Sequence, residues 1–378
     1  MRREAVVLVN DWTSTVRPGG HLRMRGFAGG FAKLGYDVYI TTPWGTVSPF
    51  DEVDQPHPTG PATYLTLQLP LILQLTRTIA RAGPPHLVYF QLPSPVTNGL
   101  LAIPFLMGLG APVVVDFADP WWKPGDPELY MKTAATFAGK EAQMASLVTS
   151  DSRILLRFFS NFTRNALFLP SGVDTALFYP SPQDGSSGSK RVRIGATGSF
   201  IKAKGSWLLI PTLRMLVERG YDCELLLVGG GEDLSSILSE AVAAGLPGRV
   251  RSTGNVSRMR LARELSCCDV FIVPYDPQTS SAFFFPTKVP EMMALRRPVV
   301  ATRLYELEKT FRGGAELLLA ERDPSDYAEK IAWLIDNPGE AQAIAENGFR
   351  RVTSEFRWDT LARQMLHAVG SPADHNTG

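Results

Sequence analysis

The chain is poor in the residues that build cross-links and metal centres. Its 378 residues include three cysteines, Cys223, Cys267 and Cys268, and five histidines. Two of the cysteines are neighbours, which excludes a disulfide framework and points to a reducing, cytoplasmic setting. No CxxC pair occurs and the histidines are scattered, so no metal centre is expected. An excess of charge of either sign is also missing: 38 Lys and Arg stand against 37 Asp and Glu. That balance excludes a nucleic-acid binder built on a basic surface. Long apolar runs are absent too. "AVVLV" near the N-terminus has the length of a strand, too short for a signal core or a membrane span. The most apolar segment, "YLTLQLPLILQLTRTIARAG" (64–83), carries Gln68, Gln74, Arg77 and Arg81. It reads as a helix packed on a sheet, with a membrane-surface helix as the alternative. No transmembrane segment is expected, and peripheral membrane contact stays open.

What the chain does have is a repeated rhythm. Its length exceeds what one hydrophobic core usually supports, so two domains are expected. The runs "AVVLVN", "DVYITTP", "HLVYFQ", "PVVVDF" and "SLVTSDS" are short, rich in β-branched residues and not alternating. Such runs suit parallel strands covered on both faces, and the spacing between them suits helical crossovers. Residues 1–177 therefore read as a Rossmann-like, doubly wound α/β domain. "PSPQDGSSGSK" (180–190) is rich in Pro, Gly and Ser and reads as a linker, placed at 178–190. The rhythm then restarts with "RVRIGATG", "CELLLVGGG", "RVRSTGN", "DVFIVPY" and "RPVVATR", which makes 191–355 a second domain of the same kind. Residues 356–378 give an amphipathic helix and a frayed tail. Two such sheets facing each other across a cleft would suit an enzyme that joins two substrates.

Several stretches lie where α/β proteins keep their chemistry, at the carboxyl ends of strands. In "GATGSFIKAKGSW" (195–207), Gly198 permits a tight turn, and Ser199, Lys202 and Lys204 follow before a helix. Free N–H groups and lysines there would take a phosphate, the alternative being a solvated turn. In "LLLVGGGED" (225–233), Gly229 and Gly230 either admit a ligand close to the backbone or only make a turn. Gly19 and Gly20 occupy the corresponding position after the first strand, as a close-approach acceptor or phosphate loop. "VVVDFADPWW" (113–122) sets Asp116 and Asp119 at a strand end beside two tryptophans that could wall a sugar; turn caps are the plain alternative. In "FFFPTKVPEMMALRRPVVAT" (283–302), Pro290 is tolerated only in a first helical turn, so a helix begins near Val289. Thr287 and Lys288 then lie at its mouth and Glu291 in its first turn, as half of a nucleotide-diphosphate clamp.

Together these motifs resemble the retaining glycosyltransferases of the GT-B fold, family 4 (glycosyl transferases group 1). "LPSGVDTALFYP" (169–180) is similar to the family's Pro-Asn-Gly-Val-Asp…Phe-x-Pro element. "GSFIKAKG" is similar to its donor loop, "LLLVGGGED" to its Val-Gly-Asp-Gly turn, and "PTKVPEMMALRRPVVAT" to its Glu-Ala-Met-Ala-x-Gly-x-Pro-Val-Val-Ala block. The resemblance implies an acceptor-binding first domain, a nucleotide-sugar-binding second domain and a C-terminal helix that crosses back to the first. It also implies a UDP- or GDP-sugar donor and a sugar, lipid-linked or small-molecule acceptor, with no cofactor and no metal. Lys204 would hold the donor diphosphate and Glu291 the ribose; Asp119, Asp116 and Lys204 are the candidate catalytic residues. The chain departs from the family pattern at three places. Phe283 stands where a first glutamate is frequent, Ser199 replaces an arginine after Gly198, and Ala118 stands for a first-domain histidine. A sugar-nucleotide epimerase of the same architecture and a non-catalytic nucleotide-sugar-binding protein are the alternative functions.

Overall fold

A computed structural model describes residues 4–9, 18–47, 68–91, 99–118, 128–180, 191–279, 283 and 285–370. The chain divides into two units: Met1–Gly172 with Phe283–Phe285 and Arg357–Gly378, and Val173–Ala282 with Pro286–Phe356.

The first unit is built on a seven-stranded sheet. Its strands are β1 (Ala5–Val9), β2 (Asp37–Thr42), β3 (Gly45–Val47), β4 (Leu87–Gln91), β5 (Val113–Asp116), β6 (Leu147–Ser150) and β7 (Ala166–Phe168), in the order β3-β2-β1-β4-β5-β6-β7. All neighbours are parallel except β3, which runs antiparallel to β2. The helices are α1 (Pro18–Lys33), α2 (Gln68–Ala82), α3 (Gly99–Gly108), α4 (Glu128–Met144) and α5 (Arg153–Phe159). Successive side chains of a strand point to opposite faces, and both faces are covered here. Val6 and Leu8 pack with Met24, Phe27 and Phe31 of α1. Val7 and Val9 pack with Leu71 and Leu75 of α2 and Ile103 and Leu106 of α3. Burial on both sides is why these strands read as unbroken apolar runs.

The second unit repeats the plan with β8 (Val192–Thr197), β9 (Cys223–Val228), β10 (Val250–Gly254), β11 (Val270–Val273), β12 (Val299–Thr302) and β13 (Leu318–Ala320), in the order β10-β9-β8-β11-β12-β13. Every strand pair is parallel. Counted from β8, this is the strand order of a nucleotide-binding Rossmann sheet, whose switch point lies between the first and fourth strands; here those are β8 and β11. Helices α6 (Leu209–Glu218), α7 (Leu234–Ala243), α8 (Arg258–Ser266), α9 (Lys288–Ala294), α10 (Tyr305–Thr310), α11 (Pro324–Asp336) and α12 (Pro338–Glu355) complete it. Ile194 and Ala196 of β8 face a core shared with Leu209, Leu213 and Leu216 of α6 and Ile331 of α11.

All ten strands expected from the buried runs are present. The short strands β3, β7 and β13 are additions to that set, because three residues are too few to show a period. Helix α2 lies where the 64–83 pattern expected it, with Pro70 in its first turn. No helix among the described residues is long and apolar enough to cross a membrane.

The last helix, α13 (Trp358–Gly370), belongs to the first unit. Gly26 and Gly30 of α1 face it. A Cβ on Gly26 would collide with the Trp358 ring, and one on Gly30 with the Trp358 carbonyl. The Phe27 ring meets Trp358 edge-on at 5.2 Å. In an exposed helix, Gly→Ala stabilises by about 1 kcal/mol. Here the sign should reverse: Gly30→Ala should destabilise the first unit by about 1–3 kcal/mol, the usual cost of overpacking, seen as a lower denaturant midpoint for tryptophan emission. An unchanged or raised midpoint would show that the two helices are not held at this distance.

Candidate functional site

The sequence-predicted residues of the second unit gather at the carboxyl ends of β8 and β11, where the strand order reverses. β8 runs into Gly198, whose φ is 126°, a conformation that side chains other than glycine rarely adopt. The next residues fold back on the loop after β9. The Phe200 amide donates to the Gly230 carbonyl at 2.8 Å, and the Asp233 amide donates to the Phe200 carbonyl at 3.2 Å. A Cβ on Gly229 would lie 2.5 Å from the Gly198 carbonyl oxygen, and one on Gly230 would lie 2.5 Å from the Asn255 side-chain oxygen. Glycine is needed at both positions for the loops to pack this closely. Both are taken up by packing against neighbouring loops.

Lys202 and Lys204 form a short 3-10 turn that ends at Gly205. They part company. The Lys202 ammonium pairs with Glu240 of α7 at 3.9 Å, and its amide donates to Asp233 at 2.7 Å. Lys202 therefore braces the loop in this structure, through its amide and through an exposed ion pair. Lys204 is exposed, and so is Ser199.

Lys288 is the centre of the cluster. It begins α9, reaches across to β8 and donates from Nζ to the Thr197 carbonyl at 2.8 Å. Its ammonium fills the place that a Gly198 side chain would need and lies 5.0 Å from the centre of the Tyr275 ring. Tyr275 is fixed in turn by Thr302 at the end of β12, whose hydroxyl accepts from the Tyr275 amide at 2.7 Å and donates to its carbonyl at 3.0 Å. No carboxylate among the described residues lies within ion-pair distance of Lys288. Desolvation, reinforced by the like charge of Lys204, lowers the Lys288 pKa to about 8, although the negative charge of Glu291 opposes the shift. A positive charge held in this way is poised to gain from an anion.

Glu291 lies in the first turn of α9, as expected, and is buried. Its carboxylate accepts from Nη2 of Arg258 at 2.6 Å and from Nη1 at 3.3 Å. Thr287 sits at the N-cap position and makes no side-chain capping bond. Sequence reasoning missed Arg258 and Tyr275. The available signals were Ser257, which caps α8 and so fixes the start of the element carrying Arg258, and the position of Tyr275 shortly after β11.

In the first unit the candidates fare differently. Asp116 ends β5 and is fully buried. It accepts from Arg23 Nε at 2.8 Å and Nη2 at 2.7 Å, from the Tyr89 hydroxyl at 2.7 Å and from the Thr149 hydroxyl at 2.6 Å. Burial works against the Arg23 charge, and the Asp116 carboxylate more than offsets it, so the guanidinium pKa is raised. The structure gives Asp116 an interior, architectural set of partners. Its acceptor capacity is used by the interior, and it joins α1 to three strands. Gly19 and Gly20 lie within the first turn of α1, not in a loop before it, because Pro18 is itself the first helical residue, where its fixed φ suits a helix start. Ala118 is buried. Asp119 lies outside the described residues. Among the described residues no group of three His, Cys, Asp or Glu side chains is placed to hold a metal ion.

Residues 191–337 match the family model of glycosyl transferases group 1. The GDP-mannose-dependent alpha-(1-6)-phosphatidylinositol monomannoside mannosyltransferase of Mycobacterium tuberculosis is 27% identical over 240 residues, 57% of this chain and 61% of that protein. The MMP alpha-(1->4)-mannosyltransferase of Mycolicibacterium hassiacum is 31% identical over 202 residues, 52% of this chain and 46% of that protein. The chain thus spans roughly half of the length of the curated relatives it matches. Among solved structures, Anabaena HepE in complex with UDP and glucose superposes with a TM-score of 0.69 at 17% identity, covering 98% of this chain and 100% of that one. Sucrose-phosphate synthase of Thermosynechococcus elongatus superposes at 0.72 with 19% identity, covering 96% and 97%. The chain has the GT-B fold, and residues 191–337 of its second unit are similar to glycosyl transferases group 1.

Two outcomes follow from this geometry. Asp116→Asn keeps the shape and removes the charge that offsets Arg23; breaking a buried pair costs about 3–5 kcal/mol. The melting temperature of the full chain should fall markedly, whereas a normal melting temperature with lost activity would return Asp116 to the chemistry. Lys288 bears on pH. In the free protein it is charged below about pH 8 and loses its proton as pH rises through that value. Affinity for a nucleoside diphosphate should therefore fall with rising pH above about 8, where a terminal phosphate is already ionised. Calorimetric titrations of GDP and UDP from neutral to alkaline pH measure this, and Lys288→Met should flatten the profile. A wild-type affinity independent of pH would exclude Lys288 from the anion site.

Proposed function

We propose that the chain is a retaining glycosyltransferase that moves a sugar from a nucleotide-diphosphate sugar to an acceptor hydroxyl. The observation that carries this reading is Lys288, set against Gly198 with the like charge of Lys204 acting on it, at the switch point of a Rossmann sheet. Such a crevice is where this fold takes nucleotides, and two cations there match a diphosphate. The donor diphosphate lies against Lys288 and Lys204, and Glu291 accepts hydrogen bonds from the ribose hydroxyls. As the anomeric bond loosens toward an oxocarbenium-like state, negative charge grows on the leaving diphosphate. Groups fixed in advance to meet that charge lower the barrier. The acceptor oxygen attacks from the face that the diphosphate leaves and passes its proton to the departing diphosphate, so the anomeric configuration is kept. The enzyme supplies positioning and charge and needs no covalent intermediate.

The relative from M. tuberculosis is named for GDP-mannose dependence, which makes GDP-mannose the first donor to try, with UDP-glucose beside it. The acceptor is a glycan, lipid-linked or small-molecule hydroxyl. The thiols of Cys223, Cys267 and Cys268 are unpaired, which supports a cytoplasmic setting.

The test is release of nucleoside diphosphate from GDP-mannose or UDP-glucose in the presence of hydroxylated acceptors, with the configuration of the product read by NMR. Lys204→Ala should lower the turnover number by about 10²–10³, as loss of one preorganised charge donor typically does. Turnover is expected to persist in EDTA, since lysines supply the charge. Nucleotide binding without turnover across donors and acceptors would leave a binding protein, and an inverted product would sink the retaining mechanism.

A further inference from the structure

We infer that Arg258 is a positioning residue for nucleoside recognition: it holds the Glu291 carboxylate in the orientation that accepts the ribose hydroxyls, and Phe178 holds Arg258. The inference rests on the reading of Glu291 given above and adds two residues to it. A buried carboxylate must be paired, and two cations are at hand. Lys288 lies three residues earlier on the same helix, the spacing at which helical side chains meet. Yet the ion pair forms with Arg258, on a different helix, through a two-pronged contact of 2.6 and 3.3 Å. The fork fixes the carboxylate plane in a way that a single ammonium contact does not. It uses one lone pair on each oxygen, and a carboxylate has about four acceptor sites, so capacity remains for two vicinal hydroxyls. The same pairing leaves the Lys288 ammonium on the Thr197 carbonyl, unquenched and ready for phosphate.

Arg258 is itself held. Its guanidinium lies 4.9 Å from the centre of the buried Phe178 ring. Phe178 closes a turn set by Asp174, whose carbonyl accepts from the Phe178 amide at 2.9 Å and whose side chain accepts from the Ala176 amide at 3.0 Å. The segment "VDTALF" (173–178) thereby gains a function beyond linking, since its turn presents the aromatic face that steadies the arginine serving Glu291.

The experiment compares binding of GDP and UDP with binding of their 2′,3′-dideoxy analogues by calorimetry, in wild type, Arg258→Ala, Arg258→Lys and Glu291→Gln. Wild type should prefer the hydroxylated nucleotide by about tenfold to a hundredfold, the worth of charge-assisted hydrogen bonds. Arg258→Ala and Glu291→Gln should each bring that ratio close to one, and the double variant should lose no more than either alone, because both act on one contact. Arg258→Lys keeps the charge without the fork and should fail to restore the ratio. Should Arg258→Ala fail to fold, Arg258→Gln retains the stem over Phe178 and takes its place. A wild-type ratio in Arg258→Ala or Arg258→Gln, with the ratio lost in Glu291→Gln, overturns this inference while leaving the nucleotide site standing. Absence of any nucleoside diphosphate binding in wild type, or a ratio that Glu291→Gln leaves unchanged, overturns the reading on which it rests.

Discussion

One ammonium group and one carbonyl organise the second unit's site. Lys288 spans from the helix after β11 to the last carbonyl of β8, and the loops around it are arranged to let it do so. Gly198 has no side chain, so the ammonium can occupy that volume. Gly229 approaches the Gly198 carbonyl, and Gly205 lies 2.6 Å, measured from where its Cβ would be, from the Tyr275 carbonyl carbon. Tyr275 turns its ring toward the lysine because Thr302 holds its backbone from the neighbouring strand. Three strands thus end in loops that share one volume, and the charge in it lacks a protein anion at contact distance among the described residues. Desolvation makes that arrangement costly for the free protein, as the lowered lysine pKa shows. A negative charge brought to that place would relieve the cost, which links the fold at this point to the chemistry of the proposed donor.

The first unit solves the opposite problem. There a charge is needed for architecture and is fully compensated. Arg23 of α1 enters the face between that helix and the sheet, and Asp116, Tyr89 and Thr149 of three strands converge on it or on each other. The Phe27 ring lies 5.1 Å from Tyr89 and carries the Arg23 guanidinium over its face. The two units therefore use charge at strand ends in contrary senses. Asp116 is saturated with donors, whereas Lys288 meets a backbone carbonyl and no carboxylate among the described residues. Position at the carboxyl end of a strand is a general pointer to chemistry, and the number of partners already engaged decides between the two senses.

Much of the architecture was legible. Ten short runs of four to six residues in two series announced two parallel sheets, because a strand covered on both faces is mostly apolar; β10, with no buried residue, was legible by its place in the rhythm instead. Pro290 placed the start of the helix that carries Glu291, since proline is tolerated there and not further in. Other features were out of reach. β3, β7 and β13 are three residues each and leave no period to read. Gly19 and Gly20 looked like a loop because glycine usually interrupts a helix, yet they lie in the first turn of α1 behind Pro18. The glycines of "VGGGED" could open a pocket or permit close packing, and only their neighbours decide which.

The sequence by itself determined the fold class and the likeness of residues 191–337 to glycosyl transferases group 1, and it supplied a short set of candidates for meeting a nucleotide, because hydrophobic period, punctuation and motif order are local properties of the chain. Tertiary structure alone decided what each charge faces. Lys202 and Lys204 are two residues apart, but one pairs with Glu240 while the other bears on Lys288. Glu291 has a lysine one turn away and an arginine 33 positions away in the chain, and it takes the arginine. Pairing follows distance in space and the direction of a side chain, and neither quantity is written in the order of the residues.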